Sequence, residues 1–213
     1  TAHTVEAAFF EEVVGLARRH NLTVVHDFAY SQISFAGYQA PSFLSTPGAK
    51  ELGCEFTTMS KSFNMAGWRI GYCVGNRRVI EALGQIKGYY DYGIFQAIQI
   101  ASIIGLRHCG DLVKEQALLY QERRDVLLDG LARIGWEDVS SPRAGMFVWA
   151  KLPQKYASMG SMEFARRMME DAEVAVAPGI GFGPEGEGYL RLALLEDRKS
   201  TRLNSSHVKR ARM

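Results

Sequence analysis

The chain has 213 residues, of which 47% are hydrophobic and 23% are charged. This composition is typical of a soluble globular protein, and the length is sufficient for one or two domains with a buried core. The formal net charge of +2 does not indicate a polyanionic partner, so we expect no binding to nucleic acid.

Three further features bear on the cellular compartment. No apolar run approaches the length that crosses a membrane, and the first residues do not resemble a signal peptide. The three cysteines are an odd number without CxxC spacing, which favours free thiols over a disulfide framework. The five histidines show no metal-binding spacing. We therefore expect a cytoplasmic protein with no membrane contact and no metal site.

The first half of the chain predicts alternating helices and strands. Apolar residues recur at helical spacing over residues 5–20, and Asn21 is a plausible stop. The short apolar run at residues 22–26 is typical of a parallel strand covered on both faces. Two more strands are predicted at residues 55–60 and 69–74, and helices at residues 77–87, 96–106 and 111–134.

A second, smaller α/β unit is predicted after Gly135. Its predicted elements are strands at residues 147–152, 174–176 and 189–194, and a helix at residues 161–171. We accordingly expect one domain over residues 1–110 and an interdomain helix with a small domain over residues 111–197.

Five glycines between residues 179 and 188 could suggest a dinucleotide-binding loop. Pro184 interrupts that pattern, and the residues that follow predict a strand where such a loop requires a helix. A mobile loop near a site is the better interpretation.

The most informative residues lie in two short segments. Asp27 directly follows the first apolar run, with Tyr30 three residues later, and Ser60-Lys61 precedes Arg69. Each residue alone has an ordinary structural interpretation, such as a turn aspartate, a surface lysine or an ion-pair arginine. Together they offer an amine for an aldehyde, a carboxylate for a ring nitrogen, a phenol for a ring oxygen, and a hydroxyl with a guanidinium for a phosphate. These are the partners that pyridoxal phosphate (PLP) requires.

The order and spacing of these residues resemble the fold-type I, class I/II aminotransferases. The resemblance extends over four further segments: YYDYG at 89–93, MFVWAKLP at 146–153, APGIGFG at 177–183 and YLRLAL at 189–194. The branch that it favours is the bacterial alanine (glutamate–pyruvate) aminotransferases. It implies an α/β, PLP-dependent transferase fold, of which this chain would hold the C-terminal part of the large parallel-sheet domain and the small domain.

The resemblance also implies a role for each residue. Lys61 would carry PLP and act as the general acid–base, Asp27 would hold the ring nitrogen, and Tyr30 would hold the ring oxygen. Ser60 and Arg69 would bind the phosphate. Arg191, in the predicted strand at residues 189–194, would pair with the α-carboxylate of the substrate.

The expected reaction is amino-group transfer between L-alanine and a 2-oxo acid, pyruvate or 2-oxoglutarate. Residues 88–99 lack the arginine that aspartate-specific relatives use there, which favours alanine. The aromatic loop at residues 89–93 suggests an active site completed by a second copy in a homodimer. Two alternatives stay open: a PLP-dependent β-lyase or related α-carbon enzyme, and a non-catalytic PLP-binding fragment.

The two ends of the chain depart from the family pattern. The resemblance implies a segment before Thr1 that supplies further cofactor contacts and neighbouring strands, so we expect an N-terminally truncated fragment with weak or no activity alone. Residues 198–213 are polar and basic where the family has an amphipathic helix. A nucleic-acid role for this tail is conceivable, but a frayed or foreign segment explains it better.

Overall fold

The computed structural model describes residues 2–195. The chain divides into two compact units, an N-terminal unit (Thr4–Ala117) and a C-terminal unit that begins at Leu118. The predicted tail at residues 198–213 lies outside the described residues. Within those residues, no helix is long and apolar enough to span a membrane.

The N-terminal unit opens with helix α1 (Ala7–His20). Its buried residues Phe10, Val14 and Ala17 follow the helical repeat and form one face. Asn21 ends the helix in the left-handed conformation (φ 50°), and its N–H donates to the carbonyl of Ala17. The predicted helix and its stop are therefore confirmed, with the start two residues later than expected.

A three-stranded sheet follows, in the order β1 (Val24–Asp27), β2 (Gly53–Thr58), β3 (Gly71–Gly75). β1 and β2 run parallel, with Asp27 opposite Phe56, whereas β2 and β3 run antiparallel. Phe10, Val14, Phe43 and Ala49 form a core cluster on which Val24 packs.

The expectation that the first strand is covered on both faces is wrong. Val24 and His26 are half-buried, but Val25 between them is 63% exposed. Side chains alternate across a sheet, and the α1 cluster covers only the face of Val24.

The predicted ends of the next two strands are also corrected. β2 ends at Thr58, and helix α2 (Met59–Ser62) places Ser60 and Lys61 in a helical turn instead of a strand. The following strand begins at Gly71 and not at Arg69, because Arg69 adopts the left-handed conformation (φ 53°), which cannot continue a strand.

Three helices complete the succession: α3 (Arg77–Tyr90), α4 (Gln96–His108) and α5 (Gly110–Arg133). All three were predicted within three residues at either end. Asn76 caps α3, since its Oδ1 accepts from the N–H groups of Arg78 and Val79. The division between the two units falls within α5.

The C-terminal unit contains strand β4 (Phe147–Lys151), helix α6 (Ser161–Ala172), strand β5 (Ala177–Pro178) and strand β6 (Tyr189–Ala193). The strands form an antiparallel sheet in the order β4-β6-β5. Val148, Ala150 and Leu190 are fully buried on one face of this sheet. The buried side of α6 carries Phe164, Ala165 and Met168.

The strand predicted at residues 174–176 is not formed. Glu173 ends α6 in the left-handed conformation (φ 56°), and both Glu173 and Val174 donate their N–H groups to the carbonyl of Met168. This helix-ending turn uses the backbone that a strand would need. Of the segment between α6 and the glycine-rich turns, only Ala177–Pro178 pairs with β6.

The glycine-rich segment forms two 3-10 turns, Gly179–Phe182 and Pro184–Gly186, and then enters β6. The predicted strand is therefore formed at the place where a dinucleotide-binding loop requires a helix. A Cβ on Gly179 would lie 1.9 Å from the carbonyl oxygen of Gly186, so the two backbone segments approach closely enough to require glycine.

Candidate active site

The candidate site in the N-terminal unit lies where two parallel strands end. Asp27 is the last residue of β1 and Thr58 is the last residue of β2. Because these strands are parallel, their carboxyl ends meet at one edge of the sheet, which is where open α/β sheets bind ligands. Ser60 and Lys61 follow directly in α2.

Thr58 organises the turn that carries the lysine. Its Oγ1 accepts from the N–H of Ser60 at 3.1 Å, and lies 2.9 Å from Ser60 Oγ and 3.2 Å from the carbonyl oxygen of Ile70. It thereby joins the start of α2 to the segment before β3. We did not single out Thr58 from the sequence, although a threonine two residues before a serine at a strand end is a recognisable cap signal.

Lys61 and Tyr30 come together at this edge. The lysine Nζ lies 5.6 Å from the centroid of the Tyr30 ring, and both side chains are half-buried. The N–H of Phe28 donates to the carbonyl of Phe56 at 2.8 Å, which extends the pairing of the two strands by one residue. The turn after β1 therefore presents Tyr30 towards the turn that carries Lys61.

Asp27 lies on the exposed side of β1. Its Oδ1 accepts from the N–H of Ala29 at 3.2 Å, and the side chain is exposed. The neighbouring side chain, His26, points to the opposite face, since residues alternate along a strand. Asp27 thus offers a carboxylate that is positioned by its own turn and open to a ligand.

Arg69 stands on the loop between α2 and β3. Its left-handed backbone is held by a bond from its own Nη1 to the carbonyl of Ala66 at 3.0 Å, and the residue is exposed. Two residues later, a Cβ on Gly71 would lie 2.4 Å from the carbonyl oxygen of Thr57. Glycine at this position lets the loop close tightly against the end of β2.

Beneath the site, on the other face of the sheet, a buried carboxylate ties β1 to β2. Glu55 accepts from Ser42 Oγ at 2.8 and 3.0 Å and from the N–H of Leu44 at 3.4 Å, and its Oε1 lies 2.9 Å from Nδ1 of His26. The His26 ring also packs against Phe10 and Phe28. Sequence reasoning missed Glu55, because the sequence around a single glutamate in a strand does not indicate which distant residues will donate hydrogen bonds to it.

The last predicted residue, Arg191, belongs to the C-terminal unit. It lies on the central strand β6 opposite Trp149 of β4. Its guanidinium carbon is 4.2 Å from the ring centroid of Phe147 and 4.4 Å from that of Phe182. Five of the six predicted residues thus belong to the N-terminal unit, and Arg191 belongs to the C-terminal unit.

Comparison with known proteins identifies the family. The sequence model described as "Aminotransferase class I and II" matches residues 1–205. The chain belongs to the class I and II aminotransferases. This family is PLP-dependent, and its fold is the type I fold of mixed α/β structure.

Three relatives illustrate the match. The chain is 50% identical to the glutamate-pyruvate aminotransferase AlaC of Escherichia coli (strain K12) over 95% of its own length and 49% of that protein. It is 46% identical to the LL-diaminopimelate aminotransferase of Moorella thermoacetica over 91% of its length and 49% of that enzyme. The substrate-bound BacF structure from Bacillus subtilis superposes with a TM-score of 0.95 at 29% identity, covering all of this chain and 53% of that one. The chain therefore spans about half the length of the relatives that it matches.

The residues at the sheet edge fit PLP by their chemistry. An amine (Lys61) stands beside a phenol (Tyr30), and an open carboxylate (Asp27) ends the adjacent strand. A hydroxyl (Ser60) and an exposed guanidinium (Arg69) lie on the turns that follow β2. These groups complement an aldehyde, a ring oxygen, a pyridine nitrogen and a phosphate, respectively.

Proposed function

We propose that this chain carries the PLP-binding lysine and the substrate arginine of an aminotransferase that moves an amino group between an amino acid and a 2-oxo acid. The observation that carries the proposal is the position of Lys61, which stands beside Tyr30 at the edge where β1 ends in Asp27.

Lys61 serves two purposes in this proposal. Its Nζ would hold the cofactor. Once released, the same Nζ would take the proton from the substrate α-carbon as a general base and give that proton up again as a general acid. PLP, when bound, supplies an electron-accepting ring. The side chain is half-buried next to Tyr30, which limits the positions that Nζ can reach.

The neighbouring residues set the charge and orientation of the cofactor. Asp27 favours a protonated ring nitrogen, because opposite charges at contact stabilise each other. Tyr30 would donate to the ring oxygen. Ser60 and Arg69 would hold the phosphate, and the fork of the Arg69 guanidinium suits a phosphate better than the point charge of a lysine does.

Arg191 binds the α-carboxylate of both substrates. A planar, two-pronged pair with a carboxylate fixes the substrate's orientation as well as its position, which is what proton removal from the α-carbon requires. The Arg191 guanidinium carbon lies 4.2 Å from the ring centroid of Phe147 and 4.4 Å from that of Phe182.

L-alanine and 2-oxoglutarate are the proposed substrates, with pyruvate and glutamate as products. The 50% identity to a glutamate-pyruvate aminotransferase supports this choice. The 46% identity to an LL-diaminopimelate aminotransferase supports LL-diaminopimelate as a second candidate amino donor.

We further propose a cytoplasmic enzyme that acts as a homodimer. Tyr89, Tyr90 and Tyr92 are each at least 87% exposed at the end of α3, and Phe95 is 73% exposed. Such a cluster of aromatic side chains is typical of a surface covered by another chain. A second copy that covers this surface would complete the site.

The test is a comparison of amino donors. The 213-residue chain is incubated with PLP and 2-oxoglutarate, and glutamate formation is measured with L-alanine or with LL-diaminopimelate. Faster transfer from L-alanine supports the proposal, and faster transfer from LL-diaminopimelate supports the second candidate. A parallel incubation replaces the donor by L-cysteine, which carries a leaving group on its β-carbon. Release of sulfide and pyruvate from L-cysteine, without glutamate formation from any of the donors, would contradict both and indicate a lyase.

A further inference from the structure

One face of the C-terminal sheet surrounds Arg191 with aromatic rings. Cross-strand pairing places Phe147 and Trp149 of β4 on the same face as Tyr189 and Arg191 of β6. Phe182 reaches this face from the first 3-10 turn of the glycine-rich segment and packs edge-on against Trp149 at 5.6 Å. Trp149 in turn stacks on Tyr189 at 5.5 Å. We call these four rings with Arg191 the aromatic face.

The guanidinium of Arg191 lies over two of these rings. Its central carbon lies 4.2 Å from the Phe147 centroid and 4.4 Å from the Phe182 centroid. Among the residues that the structure describes, no aspartate or glutamate forms an ion pair with it. A planar cation stacked against rings keeps its N–H groups directed outwards in its own plane, where a carboxylate can bind to two of them.

The two rings have different origins. Phe147 lies in a strand at the edge of the sheet, whereas Phe182 comes from the turn that begins at Gly179. That turn is fixed by the close approach of Gly179 to Gly186, and by Glu187, whose carboxylate accepts from the N–H and the hydroxyl of Ser161 at the start of α6. The glycine-rich segment therefore supplies Phe182, one of the two rings that contact the Arg191 guanidinium.

We propose that Phe147 and Phe182 are positioning residues for substrate carboxylates and act through Arg191. The inference rests on the proposed function, in which Arg191 binds the α-carboxylate. The rings restrict the guanidinium to one plane before the substrate arrives, so less side-chain freedom is lost on binding. Removing one ring weakens carboxylate affinity by about three- to tenfold, which corresponds to a single partly exposed cation–π contact.

The test uses Phe182→Leu and Phe147→Leu, with Phe182→Tyr as the rescue variant. Ile180→Ala is the matched control, because it shortens an exposed side chain of the same turn. Pyruvate is titrated into the PLP-incubated chain, and binding is followed by the NMR signal of the Arg191 Nε–H group. The relaxation of the same signal measures how rigidly the guanidinium is held.

The expected result is a three- to tenfold weaker pyruvate affinity and a more mobile Nε–H group in both leucine variants, with wild-type values in Phe182→Tyr and Ile180→Ala. Where turnover is measurable, KM for both amino and oxo acids rises while kcat is kept. Wild-type affinity and mobility in both leucine variants would overturn the inference alone. A wild-type chain whose Arg191 signal does not respond to pyruvate would overturn the proposed role of Arg191, and the inference with it.

Discussion

Replacing Glu55 by alanine should destabilise the N-terminal unit strongly. The residue is 6% exposed, and its carboxylate is the shared acceptor for Ser42, for the N–H of Leu44 and for His26. Truncation leaves these donors without their acceptor under the sheet that carries the candidate site.

The magnitude follows from the groups that lose a partner. A donor left unsatisfied in the interior costs about 1–3 kcal/mol. The Ser42 hydroxyl and the Leu44 N–H are partly buried, whereas the His26 side chain is 20% exposed and can turn to water. Counting two donors in full gives a loss of about 2–6 kcal/mol, a large fraction of the about 5–15 kcal/mol that stabilises a typical protein.

The assay is urea unfolding followed by far-ultraviolet circular dichroism. Glu51→Ala is the matched control, because Glu51 is an exposed glutamate in the turn before β2, and exposed substitutions usually change stability by less than about 0.5 kcal/mol. Glu55→Gln keeps one acceptor oxygen and should give an intermediate loss. The reasoning is refuted if Glu55→Ala and Glu51→Ala unfold at the same urea concentration.

Three further outcomes are expected. Thr58→Val removes the side-chain cap of α2, the turn that carries Lys61, so the free energy of unfolding should fall by about 1 kcal/mol and PLP should bind more weakly in a fluorescence titration. Unchanged PLP affinity would contradict the role of this turn in the site. Hydrogen bonds from the N–H of Ser161 and, to a lesser extent, from that of Gly188 lower the pKa of Glu187 below its usual value. The Glu187 carboxylate therefore stabilises the fold above the unfolded-state pKa, and this stabilisation is lost as pH falls through the folded-state pKa. The stability difference between wild type and Glu187→Gln, measured by urea unfolding, should therefore shrink from neutral pH to about pH 3, and a constant difference would speak against it. Arg191→Lys should raise KM for amino and oxo acids alike, because a point charge replaces a fork, and an effect on one substrate only would mean that Arg191 contacts a side chain.

Much of the fold follows from the sequence where the signal is local. The helices α1, α3, α4 and α5 carry long periodic patterns with clear stops, such as Asn21 after α1. One error lies at the end of a helix. Residues 174–176 are apolar enough for a strand, but the turn that ends α6 uses the N–H of Val174, which donates to the carbonyl of Met168.

The candidate site shows the same division. The candidate residues Asp27, Tyr30, Ser60, Lys61 and Arg69 were named because their order and spacing resemble those of the class I and II aminotransferases. The residues that support the site could not be predicted from the sequence. Glu55 joins partners that are 11 to 29 residues away, and Phe182 reaches Arg191 only because β6 folds back beside its turn. Contacts of this kind between distant residues cannot be predicted from a single sequence.

The central claim is that Lys61 is the residue that binds PLP covalently. The direct measurement is borohydride reduction of the 213-residue chain after incubation with PLP, followed by peptide mass spectrometry. The account predicts one reduced adduct, on the peptide that contains Lys61, and its loss in Lys61→Ala. A reduced adduct at another lysine that persists in Lys61→Ala would contradict it.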